Sequence, residues 1–181
     1  ITNLDNLNLK IMENQKQSIK SLILLYGTIL AVITILISVV KYAMGNHLER
    51  NVWESVFGIA LMIALTVYPI MLFKKGNNGF LNLSQSIKIG LGVAAVSGII
   101  SIVYFFVFAN YIEPEFAKQV MDAQMTEAIK QNPTMSSADL EKGREMGQKF
   151  VMPMLYGGII VVNLFLGFII SLIAGLAMKK E

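Results

Sequence analysis

The stretch that decides the fold is a pair of apolar runs, IKIGLGVAAVSGIISIVYFFVFANY at Ile87–Tyr111 and VMPMLYGGIIVVNLFLGFIISLIAGLAM at Val151–Met178, with 39 mostly polar residues (112–150) between them. Each run is long enough to cross a bilayer core about 30 Å thick, which takes roughly 20 apolar residues in a helix. Together they read as a membrane hairpin. Two further runs precede them, Ser21–Val40 and Val52–Phe73, so four spans are expected. No span carries an ionisable residue in its middle; Glu54 and Lys88 stand only at the edges.

Composition points the same way. Hydrophobic residues make up 55% of the 181-residue chain and charged residues only 15%, at a mean hydropathy of +0.60, which excludes an ordinary soluble domain. Cysteine is absent, removing disulfides, thiolate metal sites, covalent haem attachment and cysteine nucleophiles from consideration. The single histidine, His47, cannot form a histidine cluster. The first span follows Lys10, Lys16 and Lys20 as a signal peptide would, but its apolar run is longer than a signal core and has no clean small-x-small cleavage site. A retained helix is expected. Met12, followed by Glu13-Asn14-Gln15-Lys16, has the form of a natural start, which leaves open whether residues 1–11 belong to the native protein.

Charge sets the expected orientation. With four spans, the N-terminal segment (1–20), the loop bearing Lys74, Lys75 and Lys88, and the tail (179–181) share one face with a net charge of +5, against −2 on the other. The positive-inside rule then puts both termini in the cytoplasm. Tyr42, Trp53, Tyr111 and Tyr156 fall at the opposite boundary, at headgroup level. A net charge of +3 does not signal nucleic-acid binding, because the basic residues are scattered over both faces. The cytoplasmic lysines suit anionic lipid.

Within the spans the informative residues are small. Gly90, Ala94 and Gly98 recur every four residues in the third, beside Ser97 and Ser101; Asn163, Gly167, Ser171 and Gly175 do so in the fourth. Lipid is as apolar as leucine, so membrane helices associate through close packing and interhelical hydrogen bonds, which small residues permit. These rows are expected to pack against each other or against a partner, with Asn163 bonded to a neighbouring helix. Pro69 in the second span frees the carbonyl of Leu65, with Thr66 placed to compensate, and predicts a packing kink. Gly76-Asn77-Asn78-Gly79 reads as a turn, with Ser84 as cap of the next helix.

The excursion divides at Asn132-Pro133. Before it, Phe116, Val120, Met121 and Met125 lie on one helical arc; after it, Ser136 caps a helix with Asp139 in its first turn, and Leu140, Gly143, Met146, Gly147 and Phe150 share a face. Gly143 and Gly147 predict the close passage of another backbone, Glu145 and Lys149 an i, i+4 pair, and Pro153 a joint into the fourth span. The result expected is an amphipathic helical hairpin outside the membrane. Glu113, Glu115 and Asp122 are read as a solvated acidic face, since no loop spacing supports a calcium or catalytic cluster.

The run FLNLSQSIKIGLGVAAVSGIISIVYFFVFANYIEPEF (80–116), the segment MSSADLEKGREMGQKF (135–150) and the ending LIAGLAMKKE (172–181) resemble the domain of unknown function 4199 family of Bacteroidetes membrane proteins, over roughly Lys16 to Lys180. That resemblance implies a bacterial inner-membrane location and carries no activity with it. The expectation is therefore an all-α protein with four transmembrane helices (membrane domain 21–178), without catalytic, cofactor-binding or metal-binding residues. Its expected role is that of an accessory or structural subunit docking on a larger membrane complex through the small-residue faces and the outer hairpin. The alternative is a small oligomeric transporter or channel for a neutral or apolar solute. Membrane lipid is an expected partner in either case, and a homo-oligomer fits both.

Overall fold

The computed structural model describes residues 18–49, 51–134 and 136–180. The proposed start at Met12, Lys10, Lys16 and Arg50 lie outside the described residues. Among the described residues five α-helices form: α1 Ile19–Ala43, α2 Val52–Gly76, α3 Leu83–Val107, α4 Phe116–Gln131 and α5 Ser137–Met178. No strand forms among the described residues beyond one isolated antiparallel bridge between Leu81 and Lys180. Four of the helices are long and apolar enough to cross a membrane, and the chain is a multi-pass membrane protein.

Except at α4, where Glu115 makes no side-chain cap, each helix starts where a side chain replaces the missing intrahelical acceptor for the first N–H groups. Ser18 accepts from Ser21 N at α1, Asn51 from Trp53 N at α2, and Ser136 from Asp139 N at α5, as its spacing predicts. At α3 the cap is Asn82, not Ser84. Asn82 and Gln85 form a reciprocal capping box, each side chain bonded to the other's backbone N–H, which leaves Ser84 inside the first turn. The turn before it is built on left-handed backbone at Asn78 (φ 55°) and Gly79 (φ 83°).

Helix α3 lies between α1 and α5, and α2 touches all three. The buried residues of α3, Ser86, Ile89, Gly90, Val93, Ala94, Ser97 and Gly98, follow the 3–4 spacing of one helical face. Most outward positions remain apolar, for example Leu36, Phe57, Ile99, Val103, Val161, Phe165 and Ile173. An exterior of this kind suits hydrocarbon rather than water. Pro69 is accommodated without ending α2 and is buried. Thr66 is also buried, but its Oγ1 has no hydrogen-bond partner among the described residues. The expected compensation at the proline is not made.

The end bearing the α2–α3 loop is closed by the tail. Leu81 and Lys180 exchange two backbone hydrogen bonds of 3.0 and 2.9 Å, and Lys74 Nζ donates to the carbonyl of Met178 at 2.7 Å. At the opposite end α3 continues through a π-helical turn, Phe108–Ile112, into α4. The expected joint at Pro153 does not exist. α5 runs through it unbroken for 42 residues, about 63 Å at 1.5 Å per residue. The second arm of the excursion is thus the N-terminal third of the fourth span's own helix, and α4 packs beside it.

Candidate functional site at the hairpin end

The two rows of small residues meet inside the chain. A Cβ at Gly90 would collide with the Ser171 side chain and lie 3.0 Å from the carbonyl of Gly167, while one at Gly167 would lie 2.5 Å from Ala94 Cβ. Ser86 Oγ, fully buried, donates to the Ser171 carbonyl at 2.7 Å, and Gly175 sits against Leu83 and Ser86. Gly98 has looser contact, with Ile160 and Asn163. Ser97 is buried and Ser101 half-buried. Asn163 faces this seam, but its Nδ2 donates to the Ile159 carbonyl of its own helix at 2.8 Å, not to a neighbour. The α3–α5 seam is therefore occupied by its own two rows. A second close contact joins α1 to α3, with Gly27 against Val96 and Gly92 against Ile23.

On the hairpin, Met121 of α4 is buried, and its methyl occupies the space a Cβ at Gly147 would need. Met125 lies 3.6 Å from the corresponding point at Gly143, an ordinary contact distance. What passes these glycines is a pair of methionine side chains rather than a backbone. Phe116, Val120 and Leu140 are half-buried, whereas Met146 and Phe150 are exposed. The face expected to be shared by Gly143, Gly147, Met146 and Phe150 is divided: the glycines meet α4 and the large side chains point away. Arg144 bonds to Asp122 of α4 at 2.8 Å, so the ion pair bracing the hairpin runs between helices and is not Glu145–Lys149.

Beside the hairpin lies a polar constellation drawn from three parts of the chain. Tyr42 OH, at the end of α1, donates to Glu113 Oε2 at 3.1 Å. Gln119 Nε2 donates to Glu113 Oε1 at 2.9 Å, and Gln119 Oε1 faces His47 Nε2 at 3.0 Å. With the Gln119 amide nitrogen turned to the carboxylate, its oxygen must accept, so His47 Nε2 is the donor. His47 Nδ1 is buried and has no partner among the described residues. Aromatic rings surround the chain of bonds: Tyr42 and Phe108 at 5.2 Å, Phe108 and Phe116 at 5.4 Å, and Tyr42 and His47 at 5.3 Å, all in edge or T-shaped contact. Phe105 extends the cluster to Tyr156 of α5 at 5.1 Å.

Sequence reading misses this arrangement. Its partners stand 71 and 72 residues apart, at spacings that match no local motif. Glu113 is half-buried and bonded, which corrects its assignment to a solvated acidic face. Chemically the constellation is a lock. A glutamine separates the imidazole from the carboxylate, so no acid–base pair is in direct contact, and among the described residues no three His, Cys, Asp or Glu side chains converge as metal ligands. Next to the lock, between the α1–α2 loop and α4, lies a half-open groove of about 830 Å³, lined by His47, Leu48, Glu49, Leu155 and one face of α4.

Comparison with curated proteins and with solved structures returns no match. Residues 25–180 match the model of the family described as protein of unknown function (DUF4199), and the chain belongs to that family.

Proposed function

We propose that this chain is a non-catalytic accessory or structural subunit of a larger complex in the bacterial inner membrane, with both termini cytoplasmic and the α4–α5 hairpin extracytoplasmic. The orientation is supported by the gathering of Lys74, Lys75, Lys179 and Lys180 at the end that carries the α2–α3 loop and the tail, while Tyr42 and Tyr156 stand at the other. The observation that carries the docking reading is an uncovered apolar row on α5. Met146, Phe150 and Met154 are exposed to 63%, 59% and 72%, and their four-residue spacing puts them on one side of the helix.

Height decides what can cover that row. Measured from Met178, about 20 residues cross the hydrocarbon core, so α5 leaves it near residue 159; Phe150 then stands roughly 13 Å and Met146 roughly 20 Å beyond it. Lipid covers the membrane-level positions Val161 and Phe165 but does not reach Met146. Methionine and aromatic side chains above the headgroups are typical of the core of a protein interface. With the small-residue seam occupied within the chain, docking falls to the hairpin.

The test is affinity purification from the native host in mild detergent, comparing the wild-type chain with a Met146→Glu/Phe150→Glu variant. A stoichiometric membrane partner is expected with the wild type and absent with the variant, at unchanged melting temperature of the isolated protein. A homo-oligomer with no partner, indifferent to the substitutions, would refute the accessory role and shift the weight to a small transporter or channel for a neutral or apolar solute.

A further inference from the structure

The lock contains a ring that is satisfied on one side only. His47 Nε2 donates to Gln119 Oε1 at 3.0 Å, while Nδ1 is buried without a partner among the described residues. In the neutral ring that nitrogen is a bare lone pair. A proton there would make it a donor carrying a unit charge, with no acceptor in reach, and an unpaired buried charge costs far more than an unpaired neutral group. His47 is the only histidine of the chain, and imidazole is the side chain whose ordinary charge change falls between about pH 5 and about pH 8.

The groups around the ring decide which way a proton pushes it. From α1, Tyr42 packs its ring at 5.3 Å and commits its OH to Glu113; Lys41 is held by the Glu49 carbonyl and by the Glu54 carboxylate of α2. The π-helical turn brings the Phe108 ring at 6.4 Å and Glu113, whose two oxygens accept from Tyr42 and Gln119. From α4 come Gln119 and the Phe116 ring at 6.3 Å, with Glu115 paired to Lys118 and Glu127 farther along the groove. α5 adds Leu155 across the groove and, beyond Phe105, Tyr156. In the α1–α2 loop itself Glu49 is exposed, two residues on. An imidazolium left in place would meet Glu113 only across the Gln119 amide and would have no acceptor for Nδ1. Turned out to solvent, it gains water at both nitrogens and keeps Glu49 beside it.

We propose that the lock is a proton-operated latch: closed over neutral His47, it releases the α1–α2 loop from α4 when His47 is protonated and its ring leaves the aromatic cluster. The loop is the part that moves. Gly45, with left-handed backbone (φ 74°) and open space where a Cβ would stand, gives it a hinge two residues before the histidine. α4 stays on α5, held by Met121 against Gly147 and by Arg144 against Asp122. Opening therefore widens the groove without undoing the hairpin. The latch rests neither on the docking role nor on the orientation in the membrane.

The experiment uses the full chain in nanodiscs. The absence of cysteine lets spin labels be placed through Leu48→Cys and Gln124→Cys, both exposed and lining the groove from the loop and from α4. Pulsed electron paramagnetic resonance is expected to give a short distance at about pH 8 and to gain a longer one toward about pH 5. The long-to-short ratio should rise by at most about tenfold per pH unit, the slope of one proton. In tag-free protein the single histidine gives one pair of ring ¹⁵N resonances, expected as the Nε2–H tautomer when the distance is short and as imidazolium when it is long. His47→Gln retains a donor toward Gln119 and does not titrate, so its distances should not change with pH. Glu127→Gln, a carboxylate farther along the groove, should leave the response as it is. Distances unchanged over the whole range, a response that survives in His47→Gln, or an imidazolium formed with the short distance retained would each overturn the proposal.

Discussion

At the scale of single residues, the glycines divide by what stands opposite them. Gly90 faces the Ser171 side chain and a backbone carbonyl, neither of which can swing away. Gly90→Ala should therefore destabilise the protein by about 1–3 kcal/mol, as overpacking does. Gly143 faces only the flexible end of Met125 at contact distance, so Gly143→Ala should stabilise by up to about 1 kcal/mol through helix propensity. Thermal melts of the two variants in one detergent check both signs, and a melting point lowered equally by both would contradict the distinction. Thr66 offers a complementary case. Its buried hydroxyl has no partner among the described residues, and a buried unsatisfied group costs about 1–3 kcal/mol. Thr66→Val keeps the shape and removes the polar atom; the expected result is a melting temperature raised by a few degrees, and a fall would mean that the hydroxyl is bonded after all.

At the scale of elements, helix ends were less legible than helix existence. Asn82 and Ser84 are both cap-forming residues two positions apart, and the choice between them is made by Gln85, whose side chain reaches back to the Asn82 N–H at 3.0 Å. The reciprocal motif was present in the sequence. Asn82→Ala should cost about 1 kcal/mol, whereas Ser84→Ala should stay within a few tenths because an exposed first-turn residue has little to lose; helix-end amide exchange at Gln85 and Ser86 would report which residue closes the helix. Pro153 misleads for a related reason. Proline removes one donor and crowds the preceding turn, yet α5 continues through it, with packing from α3 and α4 on either side holding the helix together.

At the scale of the whole molecule, the two ends are built differently. The end with the α2–α3 loop is tied by backbone bonds between Leu81 and Lys180, and the hairpin end by side chains, through Tyr42, Glu113, Gln119 and His47. The absence of cysteine makes the orientation directly testable. Cysteines introduced at exposed Lys75 and Glu141 should react with a membrane-impermeant maleimide from opposite sides, Glu141→Cys in intact cells and Lys75→Cys only after permeabilisation. Labelling of both in intact cells would contradict the four-span orientation.

The sequence by itself determined the membrane class and the four spans, because each rests on a local quantity, about 20 apolar residues per crossing; it marked the small-residue rows every four positions but left open whether they pack against each other or against a partner. Tertiary structure alone decided the rest. Whether Gly147 met a backbone or Met121, whether Asn163 bonded across or along its helix, and whether His47 stood alone or joined Glu113 through Gln119 depend on which distant segments are brought together. Hydrogen bonds between side chains some 70 residues apart leave no period in the chain, and they are set only when the helices pack.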